Sequence, residues 1–489
     1  MRTYEDLLDI RDDETKLIPF IQNAIFDYKA TDFYKAGEVA YDYFRKRNKT
    51  IIDFQKLLYT LTGKAVPDNF SANYKFRNAF FPIFVMQENS YLLGNGVTFN
   101  ESDTKDKLGG DRFDNAMFNL AEYALWGGVS YGFYNDGRID TFKMTEFVPL
   151  WGEEDGALHA GIRWWQIDST KPLRATLYEE DGYTDFIWRL DRQTQGFKAG
   201  EVLHNKRYYK YKTQTSEVDG EEILDGENYP GFPIVPLWAN EAHQSELTGL
   251  REKIDGYDLI QSGFANDLDE ASMVYWTITN AGGMDDVDLA KFIERMKTVH
   301  AAVVDEQGST AEAHSIEAPY AARQAALAEI KDSLYRDAMA LDTDKISAGN
   351  ITATAINAAY ENLDLKSDRF EMCVSDFIDG ILKLIDVEDS PTFKRTKVTN
   401  VGEETQVVLS ASDYLDTETI LKHLPFISPD EIDEILAKKD EEEMERYDNE
   451  LETGDEEAMI DAEGAETDSA LDDLGNGILS ELESLLGEG

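Results

Sequence analysis

Between Ser245 and Leu341 two long, one-sided helical stretches enclose a segment of quite different pattern, and few folds accommodate that arrangement. In the first stretch, Ser245 to Ser272, residues Leu247, Leu250, Ile254, Tyr257, Phe264 and Leu268 fall on one stripe at steps of three, four and seven. The second stretch opens near Pro319, whose missing N–H has no intrahelical partner in a first turn. Ala326, Leu327, Ile330, Leu334 and Leu341 mark its buried side. Between them, MVYWTITN reads as a strand, Gly282-Gly283 as a turn, Asp285 as the start of a short helix, and Ala301 to Val304 as a final strand. DTDKISAGNIT then breaks the pattern at Gly349 and Asn350 and offers Thr352 as an N-cap for a third helix, about Ala353 to Asp386. Two long helices flanking a small α/β insertion are rare in an ordinary monomeric enzyme.

The remainder of the chain supplies a mixed body. Up to about Thr60, acidic and aromatic residues alternate at helical spacing and predict several short helices. Asn73 to Val97 reads as a further helical run stopped at Gly94 and Gly96, and Phe113 to Trp126 as the next helix. From Val129 the segments become short, aromatic and β-branched, with Asp136-Gly137 and Asp181-Gly182 as hairpin turns, which predicts a mostly antiparallel sheet. Pro230, Pro233 and Pro236 then forbid a helix and leave an extended linker. TKVTNVGEETQVVLS is expected to be extended and to return to the sheet, and YLDTETILKHLPFISPDEIDEILAKKDEEE to give two short helices.

The balance of 47 basic against 97 acidic residues, net −50, argues against a simple basic reader of nucleic acid. Asp440 to Gly489 alone holds twenty acidic residues against the single base Arg446, and its low hydrophobicity predicts disorder from about Gly454 to Gly475. Ile478, Leu479, Leu482, Leu485 and Leu486 then share one helical face, suited to a protein partner. No apolar run approaches the roughly 18 residues of a membrane span, and the charged start MRTYEDLLDIRDDETK is no secretory signal, so a soluble protein is expected. The lone Cys373 rules out an intramolecular disulfide framework and reads as a small core residue.

Catalytic signatures are missing or misplaced. The six histidines form no HExxH and no i, i+4 pair, so no metal is expected, and neither GxxxxGK[ST] nor GxGxxG occurs. GVSYG, Gly128 to Gly132, matches GxSxG but follows a helix and opens a strand, the reverse of a nucleophile elbow, which leaves Ser130 an ordinary strand residue. Among 97 acids, neighbouring carboxylates select no general acid or base. Trp164 and Trp165, adjacent on a strand, point to opposite faces, one toward the core and one toward a subunit contact.

In order along the chain, NYKFRNAFFPIFVMQENSYLLGNGVTF, LWGGVSYGFYNDG, FVPLWGEEDGALHAGIRWW, FPIVPLWANEAHQSELTGLREKIDGYDLIQSGFANDLDEAS, SAGNITATAINAAYENLDLKSDRFE and YLDTETILKHLPFISPDEIDEI resemble the portal proteins of tailed bacteriophages, in the family found in long-tailed phages of Gram-positive hosts. The resemblance spans about Asn73 to Glu443 and is most specific around Pro236, Asn240, Ser245, Ile254, Asp255, Tyr257, Asp258, Ser262, Phe264 and Asn266; Gly349, Asn350, Ala355, Leu363, Asp364 and Lys366 resemble the family's Gly-Asn loop and the long helix after it. It implies an α+β portal-protein fold: a mixed α/β wing over 1–240, stem helices over 241–272 and 320–341, and an α/β clip over 273–319 with its turn at Gly282 and Gly283. A tunnel loop over 342–352, a long helix over 353–390, a strand returning to the wing over 391–410, crown helices over 411–453 and an acidic tail over 454–489 complete it. The stem residues would be Ile254, Asp255, Tyr257, Asp258, Ser262, Phe264 and Asn266, and the DNA-facing loop residues Lys345, Ser347, Gly349 and Asn350.

The resemblance further implies a non-enzymatic, cofactor-free ring, typically of twelve subunits, at the capsid vertex of a virion assembled in the bacterial host cytoplasm. Double-stranded DNA would pass through it during packaging and ejection. Terminase, the major capsid and scaffolding proteins and a head-completion adaptor would be its partners, with no membrane involved. Two other readings compete: an acidic structural or adaptor protein of a virion that binds proteins through its tail without conducting DNA, and a glycan-acting enzyme using paired carboxylates with Trp164 or Trp165.

Overall fold

The computed structural model describes residues 2–59, 63–69, 71–101, 103–191, 196–215, 222–271, 274–279, 310–315, 320–346, 353–396, 401–412, 415–424 and 435–439, with single positions at 287, 288, 291, 294 and 432. The predicted Gly282-Gly283 turn, the strand near Ala301 to Val304, loop residues Ser347, Gly349 and Asn350, and the acidic tail lie outside the described residues. The chain divides into two compact units, one of residues 1–342 and 361–396, the other of residues 343–360 and 397–489.

The first unit is α+β, with every strand pair antiparallel. Helices Glu14–Ala30 and Asp32–Phe44 meet at Thr31, whose Oγ1 donates to the Tyr28 carbonyl at 2.6 Å and accepts from the Tyr34 N–H at 3.2 Å, ending one helix and capping the next. Helix Asp111–Gly127 stops at Gly128, a left-handed C-cap with φ of 89° that turns the chain straight into strand Val129–Tyr134. Ser130 is accordingly a buried strand residue, its hydroxyl donating to the Leu120 carbonyl at 2.7 Å.

Strands Ile234–Trp238, Val129–Tyr134 and Ile139–Lys143 form one sheet in that order, and strands from Phe147–Trp151 to Glu201–Arg207 form a five-stranded meander. The first hairpin turns through Asp136 and Gly137, φ 46° and 82°, the doubly left-handed geometry that the Asp-Gly pair predicts. Glu179 faces Gly182 across the second. The large buried side chains Trp126, Tyr131, Phe142, Phe147 and Phe186 fill the space between helices and sheets. Trp164 is buried beside Tyr28 and Tyr34, with Trp165 half-buried on the opposite face.

Three expectations change in detail. The run from Asn73 is irregular up to the cap at Ala79 and helical only over Phe80–Leu93, because the N–H groups of residues 74, 76 and 78 are used elsewhere. Residues 245–250 form turns ahead of helix Arg251–Ala271. The stretch expected to be extended over 391–410 returns to the body only at Pro391–Phe393, paired with Val97–Phe99, and becomes helical over Val401–Ser410. Thr405 and Val408 there sit three apart, with Thr405 buried and Val408 packed on Ile420, Leu421, Leu424 and Ile432, the small core of the second unit. Fewer than three helical turns are too few for their period to stand out from strand alternation.

Candidate functional site: the paired helices and their polar seam

Helices Arg251–Ala271 and Tyr320–Asp337 pack along each other. Lys253 donates to Ser333 Oγ at 2.7 Å and pairs with Asp337, Phe264 meets Tyr320 with ring centroids 5.3 Å apart, and Asp267 pairs with Arg323. Partners that fall in number as the first helix rises define an antiparallel pair. Near Lys253, Ile254 and Leu334 are both fully buried.

The seven residues expected on the first of these helices divide among its faces. Ile254 enters the core, Phe264 meets the second helix, and Tyr257 makes an edge-to-face contact with Phe80 at 5.0 Å. Asp255, Asp258, Ser262 and Asn266, spaced three, four and four apart, form a polar stripe. Asp255 accepts from the hydroxyls of Tyr43 and Thr50, the latter at 2.8 Å. Asp258 accepts from Asn48 Nδ2, from the Asn78 backbone at 3.0 Å and from Asn78 Nδ2 at 2.7 Å. Ser262 accepts from the Phe76 N–H at 2.9 Å, and Asn266 from the Tyr74 N–H at 2.7 Å.

Two repeats are matched here. Alternate residues of an extended chain lie about 6.6 Å apart, and four helical residues advance about 6 Å, so backbone donors 74, 76 and 78 meet one acceptor per turn. Burial raises the pKa of the Asp258 carboxyl, while its hydrogen bonds from Asn48 and Asn78 pull it down.

A second charged arrangement escaped the sequence reading. Lys366, on helix Ala353–Leu384, is largely but not fully buried, its ammonium 2.7 Å from the buried Glu88 Oε2 and 2.8 Å from Glu246 Oε2. Burial pushes the Glu88 carboxyl up to about 7 against the pull of the Lys366 charge. Burial by itself would lower Lys366, but the charges of Glu88 and Glu246 outweigh it and hold the ammonium above its ordinary pKa. Two signals in the sequence point here: Glu88 interrupts the apolar run FFPIFVMQENSYLL, and Lys366 stands four residues before the buried Phe370 on a stripe that continues through Val374 and Phe377. These three residues also line a cavity of about 540 Å³ with Asn240, Ser245 and Asp337.

The loop residue Lys345 lies in the short helix Thr343–Ile346, its side chain outside the described residues. Among the described residues no group of histidine, cysteine or carboxylate side chains is arranged to hold a metal, and no helix is long and apolar enough to cross a membrane.

Comparison with known proteins gives a consistent family. The family model described as "Phage portal protein, SPP1 Gp6-like" matches residues 37–445. The chain is 25% identical over 395 residues to the portal protein of Clostridium phage phiCD119, covering 74% of this chain and 84% of that one. It is 24% identical over 459 residues to the portal protein of Bacillus phage SPP1, covering 86% and 85%. Among solved structures, the neck of a native gene transfer agent particle with C12 symmetry aligns with a TM-score of 0.41 at 13% identity, over 72% of this chain and 91% of that one. The neck of an empty particle with C6 symmetry gives 0.44 at 12%, with the same coverage.

Proposed function

The chain belongs to the SPP1 Gp6-like family of phage portal proteins, a structural rather than enzymatic family, and from that premise we propose that it forms the ring at one capsid vertex through which double-stranded DNA enters and leaves. Copies would meet head to tail, each using two different patches, with closure set by the rotation between neighbours; twelve is the count typical of the family. The antiparallel helix pair would be the stem, the segment between its helices the clip that receives terminase, and residues 342–352 the loop facing DNA. The virion portal vertex would be its place, with capsid, scaffolding and head-completion proteins as neighbours.

A channel wall of negative sign suits passage. Repulsion between carboxylates and phosphates denies the duplex a tight resting place, and screening over about 8 Å at physiological salt limits the barrier this creates. Lys345 then offers one exchangeable phosphate contact per subunit, and motion is driven by a separate ATPase.

The family match across residues 37–445 carries this reading. Negative-stain images of the purified chain should show end-on rings with a central opening wide enough for a duplex. Monomers alone, at every salt and protein concentration, would refute it. Removing residues 440–489 should leave rings intact, whereas an adaptor acting through its tail would lose its partners. Lys345→Ala should lower packaging while leaving assembly unchanged; normal packaging removes the role given to that lysine.

A further inference from the structure

Charge is distributed very unevenly in this chain. Residues 45–77 contain eight lysines and arginines against two acids in a protein of net −50. One of those acids, Asp68, is buried and accepts from the Ser71 N–H at 3.0 Å. Arg45, Lys46, Arg47, Lys49, Lys75 and Arg77 are exposed. Set among them, Ile52, Phe54, Leu57, Leu58, Tyr74 and Phe76 are large apolar side chains left exposed, and the rings of Tyr74 and Phe76 stack at 6.2 Å. The backbone of residues 74–78 is fixed by the polar stripe on helix Arg251–Ala271, so these rings are presented by a held segment.

A patch of opposite charge runs along helix Ala353–Leu384. Its buried side carries Leu363, Phe370, Val374 and Phe377. A separate stripe at steps of four, three, four and four, Glu361, Leu365, Asp368, Met372 and Asp376, faces outward. Leu365 is 54% exposed and Met372 63%, each between carboxylates. The first patch is apolar with a basic surround; the second is apolar with a surround in which acids outnumber bases, Arg369 being exposed beside Leu365 and Met372 and Arg395 pairing with Asp368.

We propose that the basic, aromatic 45–77 segment of one copy seats on the acidic Leu365–Met372 stripe of the next copy, forming the head-to-tail contact of the ring. This inference rests on the ring reading above and names the surfaces that make it. Exposed leucine and phenylalanine gain from apolar surface and nothing from phosphate, which favours a protein partner over DNA for the 45–77 segment. A strongly acidic chain also repels its own copies, and this segment supplies the opposite charge that gives association a direction. The two patches differ, as a heterologous contact requires.

The test uses the full-length chain and follows assembly by sedimentation velocity, with circular dichroism melts as the folding check. K49E/R77E should raise the concentration for half-assembly by about tenfold or more, with its melt unchanged, and so should E361K/D376K. The combined variant K49E/R77E/E361K/D376K, which swaps both charges, should restore assembly toward wild type. If wild type itself never assembles, the ring reading fails. If wild type assembles and K49E/R77E does so at the same concentration, only the surface assignment fails. Two blocked pairs without rescue in the combined variant would show that the patches do not face each other. Normal assembly of K49E/R77E with loss of binding to a short DNA duplex would overturn the inference in favour of nucleic acid.

Discussion

Helix Arg251–Ala271 and the 361–384 part of the long helix are both fixed to the same body, by opposite chemistry. The first meets the 74–78 segment through hydrogen bonds to Asp258, Ser262 and Asn266. The second lays Phe377 over Gly132, where an added Cβ would fall 2.4 Å from the ring, and Gly380 against Val235, with Ile378 and Ile381 also buried. A hydrogen bond contributes a net of about 1 kcal/mol and is directional, while a buried large side chain contributes about 1.5–3 kcal/mol and tolerates sliding. The polar seam therefore favours one register for its helix, since a shift of one turn separates Asp258 from Asn48 and leaves one of the backbone donors 74, 76 and 78 without an acceptor. The apolar seam supplies the firmer attachment, and the largely buried Lys366 fixes its position.

That division is most exposed to failure at Lys366. Lys366→Met leaves Glu88 and Glu246 with no counter-charge in a buried place, and the expected loss is about 3–5 kcal/mol in a denaturant titration. A loss under about 1 kcal/mol would mean that the long helix is held by its apolar side alone.

The pH dependence of stability isolates the same site. The Glu88 carboxyl is raised from 4.5 to about 7 in the folded chain, so between those values the folded state binds more protons than the unfolded one. Stability from this group is complete below pH 4.5, declines as pH rises toward 7, and is level above it, a change on the order of 3 kcal/mol. Glu88→Gln should remove that decline. Chemical denaturation at pH 5, 6, 7 and 8 gives the comparison, and parallel curves for the two proteins would show that Glu88 is ionised throughout.

The difference between the seams also explains what could be seen in advance. The buried Ile254 and Leu334 of the paired helices, the Asp136-Gly137 hairpin and the antiparallel sheet are legible because burial leaves a period in the sequence, whereas Leu268, on the same expected stripe, is exposed and Leu247, Leu250 and Leu341 lie beyond the helix ends. Asp255, Asp258, Ser262 and Asn266 were singled out by resemblance, but their partners were not, since Asn48 and the N–H groups of 74, 76 and 78 leave no pattern. Glu88 and Glu246 were lost among 97 acids. Helix Val401–Ser410 reads as an extended segment in the sequence because its valines carry β preference and fewer than three turns do not reveal the helical period.

Within the polar seam, Asp258→Ala should cost about 1–3 kcal/mol, because Asn48 Nδ2 and both Asn78 donors lose a shared acceptor in a buried place. Ser262→Ala removes one acceptor and should cost about 1 kcal/mol. The sharper readout is hydrogen exchange: the Phe76 amide should lose protection in Ser262→Ala, and the Asn78 amide in Asp258→Ala. Unchanged protection at both would show that the segment is held by its side chains instead.

The smallest effect is expected at Arg395, which gathers carboxylates as Lys366 does, but carboxylates that are themselves more exposed to solvent. Its guanidinium lies 3.5 Å from Asp364 and 2.6 Å from Asp368, with Glu371 also paired. Burial pulls its pKa down, and the hydrogen bonds to Glu371 and Asp368 more than offset this. With Asp368 largely solvated, water and salt take over when the cation is removed, so Arg395→Ala should cost about 1 kcal/mol or less and lose most of that cost in 1 M salt. Lys366→Met should keep its full cost in the same salt. If the two substitutions respond alike, then burial does not separate the two charge clusters, and the firm attachment assigned to the long helix has to come from Phe377 and its neighbours alone.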